Sequence, residues 1–220
     1  MEHNLESGSI ARKFGGICFL VSAILQVITL FGPPLAGDIE FLDWVIERPG
    51  YTLFFTFSVI AFAIVNIPAY VGLTHLVRGR GKVLTYIGAL TALVGNFFFI
   101  ILGTEALIQR GMATLEREPM VALLQWIFDT PVYFIPHLLF FLFSYLGVLL
   151  VTIGLVRARI ASKWLVFIGI AQLLTGFLEL GPAQPYVSSV VTLLLFGSLG
   201  VSLLKKGQEA TEIQETEQTM

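Results

Sequence analysis

All thirteen Lys and Arg residues sit in the gaps between six long apolar runs or at the ends of those runs, and they are unevenly distributed. With the N-terminus in the cytoplasm, Arg12, Lys13, Arg78, Arg80, Lys82, Arg157, Arg159, Lys163, Lys205 and Lys206 fall inside, ten in all. Only Arg48, Arg110 and Arg117, three, fall outside. Short basic loops resist transfer across a bilayer, so this asymmetry marks a multi-spanning membrane protein. The pattern predicts an all-α fold, a polytopic helical bundle of six transmembrane helices. Both termini are expected in the cytoplasm and the membrane is expected to be a bacterial inner membrane.

Composition supports the same reading. The 220-residue chain is 56% hydrophobic and only 13% charged, against about 25% charged residues in a soluble domain. Six spans of ~20 residues take up ~120 and leave about a hundred for loops and tails. That suits a single membrane domain over residues 1–206. Residues 1–11 are polar and read as a loose or interfacial tail. Residues 207–220, with Glu209, Glu212, Glu215 and Glu217 among Thr and Gln, read as a disordered polar cytoplasmic tail. A net charge of −2 gives nucleic acid no purchase. Cys18 is alone, which leaves no disulfide framework or thiol pair, and it reads as a buried structural residue. The first run follows Arg12-Lys13 as a signal peptide would. It is longer than an h-region of about 7–15 residues and ends in Gly32-Pro33-Pro34 without a small-x-small cleavage site, so it reads as a retained anchor.

The spans are expected at about Phe14–Phe31, Tyr51–Val77, Val83–Leu107, Pro131–Arg157, Trp164–Leu180 and Tyr186–Leu204. Thr130 is placed to cap the fourth, with Pro131 at its first helical position. Between spans, residues 38–47 and 112–128 are too short or too charged to cross. Ile39, Leu42 and Ile46 recur at helical spacing among acids, and Leu115, Leu123, Leu124 and Trp126 anchor the other segment. Both read as interfacial helices on the outer side, with Trp44 and Trp126 at headgroup depth. Glycine pairs seven residues apart, Gly88/Gly95, Gly147/Gly154 and Gly169/Gly176, return to one helix face and predict close packing of spans 3, 4 and 5.

An ionisable side chain in hydrocarbon costs roughly 2.5–3.5 kcal/mol on insertion scales and usually faces the bundle interior. Glu105, His137 and Glu179 all fall in the outer halves of spans 3, 4 and 5, with Gln26, Asn66, Asn96 and Gln172 nearer the middle. Glu105, His137, Glu179, Asn96 and Gln172 are therefore the candidate ligand-binding residues, lining an outward-facing pocket. Taken singly, each has a simpler reading: a carboxylate reaching headgroup water, or a satisfied interior histidine. His75 lies at the inner end of span 2 and reads as interfacial. Two span histidines near opposite faces do not make a metal or haem site, and no Gly-rich phosphate loop, nucleophile–base motif or span lysine is present. No metal and no cofactor is expected.

The segment Ala11-Arg12-Lys13-Phe14-Gly15-Gly16-Ile17-Cys18-Phe19-Leu20 and the loop Arg157-Ala158-Arg159-Ile160-Ala161-Ser162-Lys163-Trp164-Leu165, followed by Gly169, resemble an uncharacterised family of bacterial multi-spanning membrane proteins. In that family's loop a basic residue and Trp-Leu open the next helix, and Ser162 stands where Pro is expected. The resemblance implies a helical membrane bundle and carries no activity. The residues themselves favour a non-enzymatic binding or transport-type protein for a lipid or small amphiphile, with membrane lipids as partners and an oligomer open. The alternatives are an intramembrane enzyme using Glu/His acid–base chemistry and a structural subunit of a membrane complex.

Overall fold

Hydrocarbon offers no water to pair with a backbone, so a spanning segment must satisfy its own peptide groups, and a helix does this locally. The computed structural model describes residues 2–28, 38–77, 79–178, 180 and 183–219. They form α1 (Glu2–Ile28), α2 (Asp38–Glu47), α3 (Pro49–Leu76), α4 (Lys82–Met112), α5 (Arg117–Asp129), α6 (Pro131–Arg157), α7 (Trp164–Phe177) and α8 (Gln184–Thr219), with no strand among the described residues. Pro49 and Pro131 open their helices, where a missing N–H does no harm. Thr130 takes the N-cap position of α6, with extended backbone, but makes no side-chain capping bond. Its hydroxyl turns back and donates to the Trp126 carbonyl at 2.6 Å.

The chain folds as an all-α polytopic bundle. Five helices among the described residues, within α1, α3, α4, α6 and α8, are long and apolar enough to cross a membrane. Their outward faces are apolar. On α4, Val83, Ile87, Leu90, Val94, Phe97, Ile101 and Ile108 are exposed, whereas Thr85, Ala89, Ala92 and Asn96 are buried. Oily residues outside and small or polar residues inside suit a lipid solvent.

α7 is shorter than the expected Trp164–Leu180. Its 14 residues rise ~21 Å, against ~30 Å of hydrocarbon. Leu178 leaves the helix with φ −90° and ψ 127°, and extended backbone advances up to ~3.3–3.6 Å per residue, more than twice the helical rise. The peptide groups freed there are partly met by Gln184, whose side-chain amide N–H donates to the Thr175 carbonyl and whose Oε1 accepts from the Leu180 N–H at 3.2 Å.

The six long elements close into a ring, α1–α3–α4–α6–α7–α8 and back to α1. Each neighbour runs antiparallel to the next. Phe62 meets Phe99, Gly88 meets Gly147 and Val151, Gly169 meets Thr152 while Gly176 meets Tyr145, and Gly16 and Leu20 meet Leu204 and Gly200 in turn. An even number of alternating helices puts the start of α1 and the end of the membrane part of α8 at one end of the bundle. That end carries Arg80, Lys82, Arg157, Arg159, Lys163 and Lys205. α8 continues to Thr219, where composition predicts disorder; Lys, Gln, Glu and Ala there are good intrinsic helix formers. Similarly, α1 begins at Glu2, within the expected loose tail.

The glycine seams lie where the spacing places them. A Cβ on Gly88 would come within 2.6 Å of the Val151 backbone nitrogen, and one on Gly147 would run into the backbone of Ala92. A second seam, Gly15 on Gly72 and Gly16 on Gly200, joins α1 to α3 and α8; it lacks the seven-residue period and is not legible from spacing.

At the opposite end α2 and α5 lie over a small apolar cluster of Leu42, Met112 and Leu124. Trp126 is 67% exposed, as an interfacial residue would be, but Trp44 is buried against Tyr51 in an edge-on ring contact instead of lying free at headgroup depth. Arg117 joins the two helices by donating both guanidinium arms to Asp43, one of them at 3.0 Å. This hydrogen bond, and secondarily the charge, holds the Asp43 carboxyl below its ordinary range. A depressed carboxylate pKa contributes stability above the unfolded value and loses it as pH falls through the folded value. The α2–α5 contact should therefore be insensitive to pH from about 5 upward and loosen only in stronger acid. Spin labels on α2 and α5 should show a single distance at neutral pH that broadens in Asp43→Asn; an unchanged distribution in that variant would show that the pair does not hold the helices.

Candidate functional site

The ring encloses a cavity of about 60 Å³ to which all six long helices contribute. Gln26 comes from α1, Tyr70 from α3, Asn96 from α4, Ser144 and Tyr145 from α6, Gln172 from α7, and Ser188 and Thr192 from α8, with Phe62, Phe99 and Phe196 completing an aromatic wall. Phe62 stacks on Phe196 with centroids 5.7 Å apart and meets Phe99 edge-on at 5.3 Å.

Most buried hydroxyls in these helices satisfy themselves by donating to a carbonyl one turn back, as Thr152 does to Leu149 at 2.8 Å and Thr175 to Gln172 at 2.8 Å. In the cavity wall the Thr192 hydroxyl likewise reaches back, to the Ser188 carbonyl at 2.8 Å, and is shared with a neighbouring helix. Gln172 Oε1 accepts from the Thr192 hydroxyl across the α7–α8 interface at 2.9 Å. The Asn96 side-chain N–H and the Ser144 hydroxyl are buried without a protein partner. Asn66, one turn from both Phe62 and Tyr70 on α3, is fully buried with both amide atoms unpaired. A buried polar group is normally hydrogen-bonded and is destabilising when it is not. Of these unpaired groups, Asn96 and Ser144 line the cavity, and Asn66 lies outside its lining.

Glu105 and His137 are brought together. His137 Nε2 lies 3.4 Å from Glu105 Oε2, both side chains being mostly buried. Asn96 and Glu105 are nine residues apart on α4, roughly 14 Å along the axis, so the Glu105–His137 pair stands between the central cavity and the end that carries α2 and α5. Glu179 lies outside the described residues. Of the five candidates, Asn96 and Gln172 thus share the central cavity, and Glu105 and His137 form a separate pair. No group of three His, Cys, Asp or Glu side chains suited to a metal is present among the described residues.

Ser144, Tyr145, Ser188 and Thr192 are not among the residues that the sequence singles out. A signal was present for the last two: Ser188 and Thr192 are four residues apart, on one face of an otherwise apolar run. Ser144 and Tyr145 carry no such signal, since hydroxyls and phenols are ordinary at span positions that bond locally.

No family model, no curated protein and no solved structure matches the chain. What the fold and cavity define is a class, the polytopic helical membrane proteins; the assignment goes no further by likeness.

Proposed function

We propose that this is a transport-type membrane protein that holds a small polar solute in the centre of the ring. One observation carries the reading: polar groups from α4 and α6, left without protein partners, face a cavity lined by every helix of the ring. The volume sets the size of the guest. About 60 Å³ is room for only a few water-sized groups and lies well below the roughly 300–1,000 Å³ of pockets for drug-sized ligands. The guest therefore narrows from a lipid or amphiphile to a small hydrogen-bonding solute. Glu105 and His137, toward the end that carries α2 and α5, would offer an acceptor and a donor to a solute entering from that end.

Vesicles containing the purified protein, challenged with osmotic gradients of urea, glycerol or ammonium, test this by light scattering. At least one solute should cross faster than in protein-free vesicles, and Asn96→Leu should return the rate to that of protein-free vesicles. Rates equal to protein-free vesicles for all three, and for water itself, would reject the proposal.

The 3.4 Å approach of His137 to Glu105 also favours a second reading, an intramembrane enzyme in which this pair exchanges a proton with a substrate. Glu105→Gln separates the two. A transport site keeps solute flux with altered selectivity, whereas an acid–base pair loses turnover outright.

A further inference from the structure

The basic end of the bundle holds a second, larger concavity. It measures about 690 Å³ and is lined by Arg80, Val156, Arg157, Ala158, Arg159 and Lys163. The cleft is formed where the loop between α3 and α4 meets the loop between α6 and α7. The α3–α4 loop is held against the end of α6 by backbone, because Gly81, at φ +93°, packs directly on the Gly154 carbonyl beside the Ala158 nitrogen. Thr85 donates back to the Gly81 carbonyl at 3.1 Å.

Arg159 is the telling residue. α6 ends in a Schellman turn, with the Ile160 N–H donating to the Leu155 carbonyl at 3.0 Å and the Arg159 N–H to the Val156 carbonyl at 3.0 Å. The residue after the cap in such a turn is left-handed and is usually glycine. Here it is Arg159, at φ +59°, the only positive-φ non-glycine among the described residues. Strain of this kind persists where the surroundings fix it and gathers at ligand clamps. Four cations face the cleft, and no carboxylate among the described residues pairs with any of them. Helix-end carbonyls and the sidedness rule account for basic residues at this end. Neither accounts for a concave cleft, nor for an arginine where glycine is unstrained. Trp164 and Val83, both strongly exposed beside it, put the cleft at the lipid boundary.

We infer that this cleft binds a phosphate-bearing anion, with Arg80, Arg157, Arg159 and Lys163 as its ligands. Its position at the lipid boundary favours the phosphodiester headgroup of an anionic phospholipid over free phosphate. Arginine forks match phosphate oxygens in pairs, and basic pockets between membrane helices take anionic headgroups in this way.

Native mass spectrometry of the detergent-purified full chain, titrated in parallel with phosphatidylglycerol, phosphatidylcholine and inorganic pyrophosphate, tests the inference. Phosphatidylglycerol should be retained in preference to phosphatidylcholine. Arg159→Gly should weaken that retention by about tenfold, the loss of one charge-assisted contact, while raising the thermal midpoint because glycine relieves the turn. Arg157→Gln with Lys163→Gln should weaken it further. Pyrophosphate bound by the wild type, with no preference between the lipids, would make the ligand a soluble anion in the same cleft. Equal retention of both lipids without pyrophosphate binding, or unchanged retention in Arg159→Gly, would overturn the site.

Discussion

Gly147→Leu is expected to destabilise the bundle by several kcal/mol, about the largest effect of any single substitution in the seam. The α4–α6 seam is the most extensive helix contact in the ring, and Gly147 lies at its centre. A side chain there meets the backbone of Ala92 and the Gly88 carbonyl, and backbone does not yield as a flexible side-chain end would. Overpacking a filled interior typically costs about 1–3 kcal/mol, and here the two helices must also separate, so the upper end of that range is expected. Separation would move Asn96 and Ser144 apart, because the Ser144 backbone packs on Gly95 further along the same seam. Gly197 supplies the control. A Cβ there meets nothing within 4 Å, so Gly197→Ala should leave stability unchanged or raise it by up to about 1 kcal/mol through helix propensity. Thermal unfolding followed by size-exclusion chromatography checks both. A Gly147→Leu protein that is monodisperse with a wild-type midpoint would mean that the α4–α6 seam is not as described.

Asn66→Leu is expected to stabilise the protein. Leu and Asn are similar in length, and the residue is fully buried with both amide atoms unpaired. An amide held in that state costs about 1–3 kcal/mol on protein mutational scales, so its removal should return about that much. The melting temperature of Asn66→Leu should rise by a corresponding amount. A destabilised Asn66→Leu protein would mean that the amide is already satisfied in the folded state, and the case built on unpaired groups would fail with it.

Much of the architecture was legible because lipid imposes few choices. Apolar runs had to be helices, basic gaps had to share an end, and glycines seven apart on α4 and α6 had to face something close. The extent of α7 was harder to read. The run from Trp164 to Leu180 is apolar but for Glu179, yet the helix stops at Phe177, and the Gln184 side chain pairs with the Thr175 carbonyl and the Leu180 N–H beside that end. A polar side chain reaching back across a turn is not written in periodicity. The candidate site was half legible. An ionisable residue in an apolar run is conspicuous, and Glu105 and His137 stand out on that ground alone. The central cavity depends on which small hydroxyls point inward, and Ser144, Thr192 and Thr152 look alike in sequence although the last bonds only to its own helix. The strain at Arg159 was equally hidden, since a basic residue in a basic loop gives no sign of its backbone angle.

α7 is the helix that makes the number of crossings even, and the closed ring depends on it. Single cysteines at Ser162, at the basic end, and at Ala183, beyond α7, should be placed in a Cys18→Ser background and probed with a membrane-impermeant maleimide in intact cells and in inverted vesicles. Opposite accessibility is predicted: Ala183→Cys labelled from outside together with Glu118→Cys, and Ser162→Cys labelled only in inverted vesicles. Labelling of Ser162→Cys and Ala183→Cys from the same side would leave five crossings, put the two termini on opposite sides of the membrane, and contradict the closed ring.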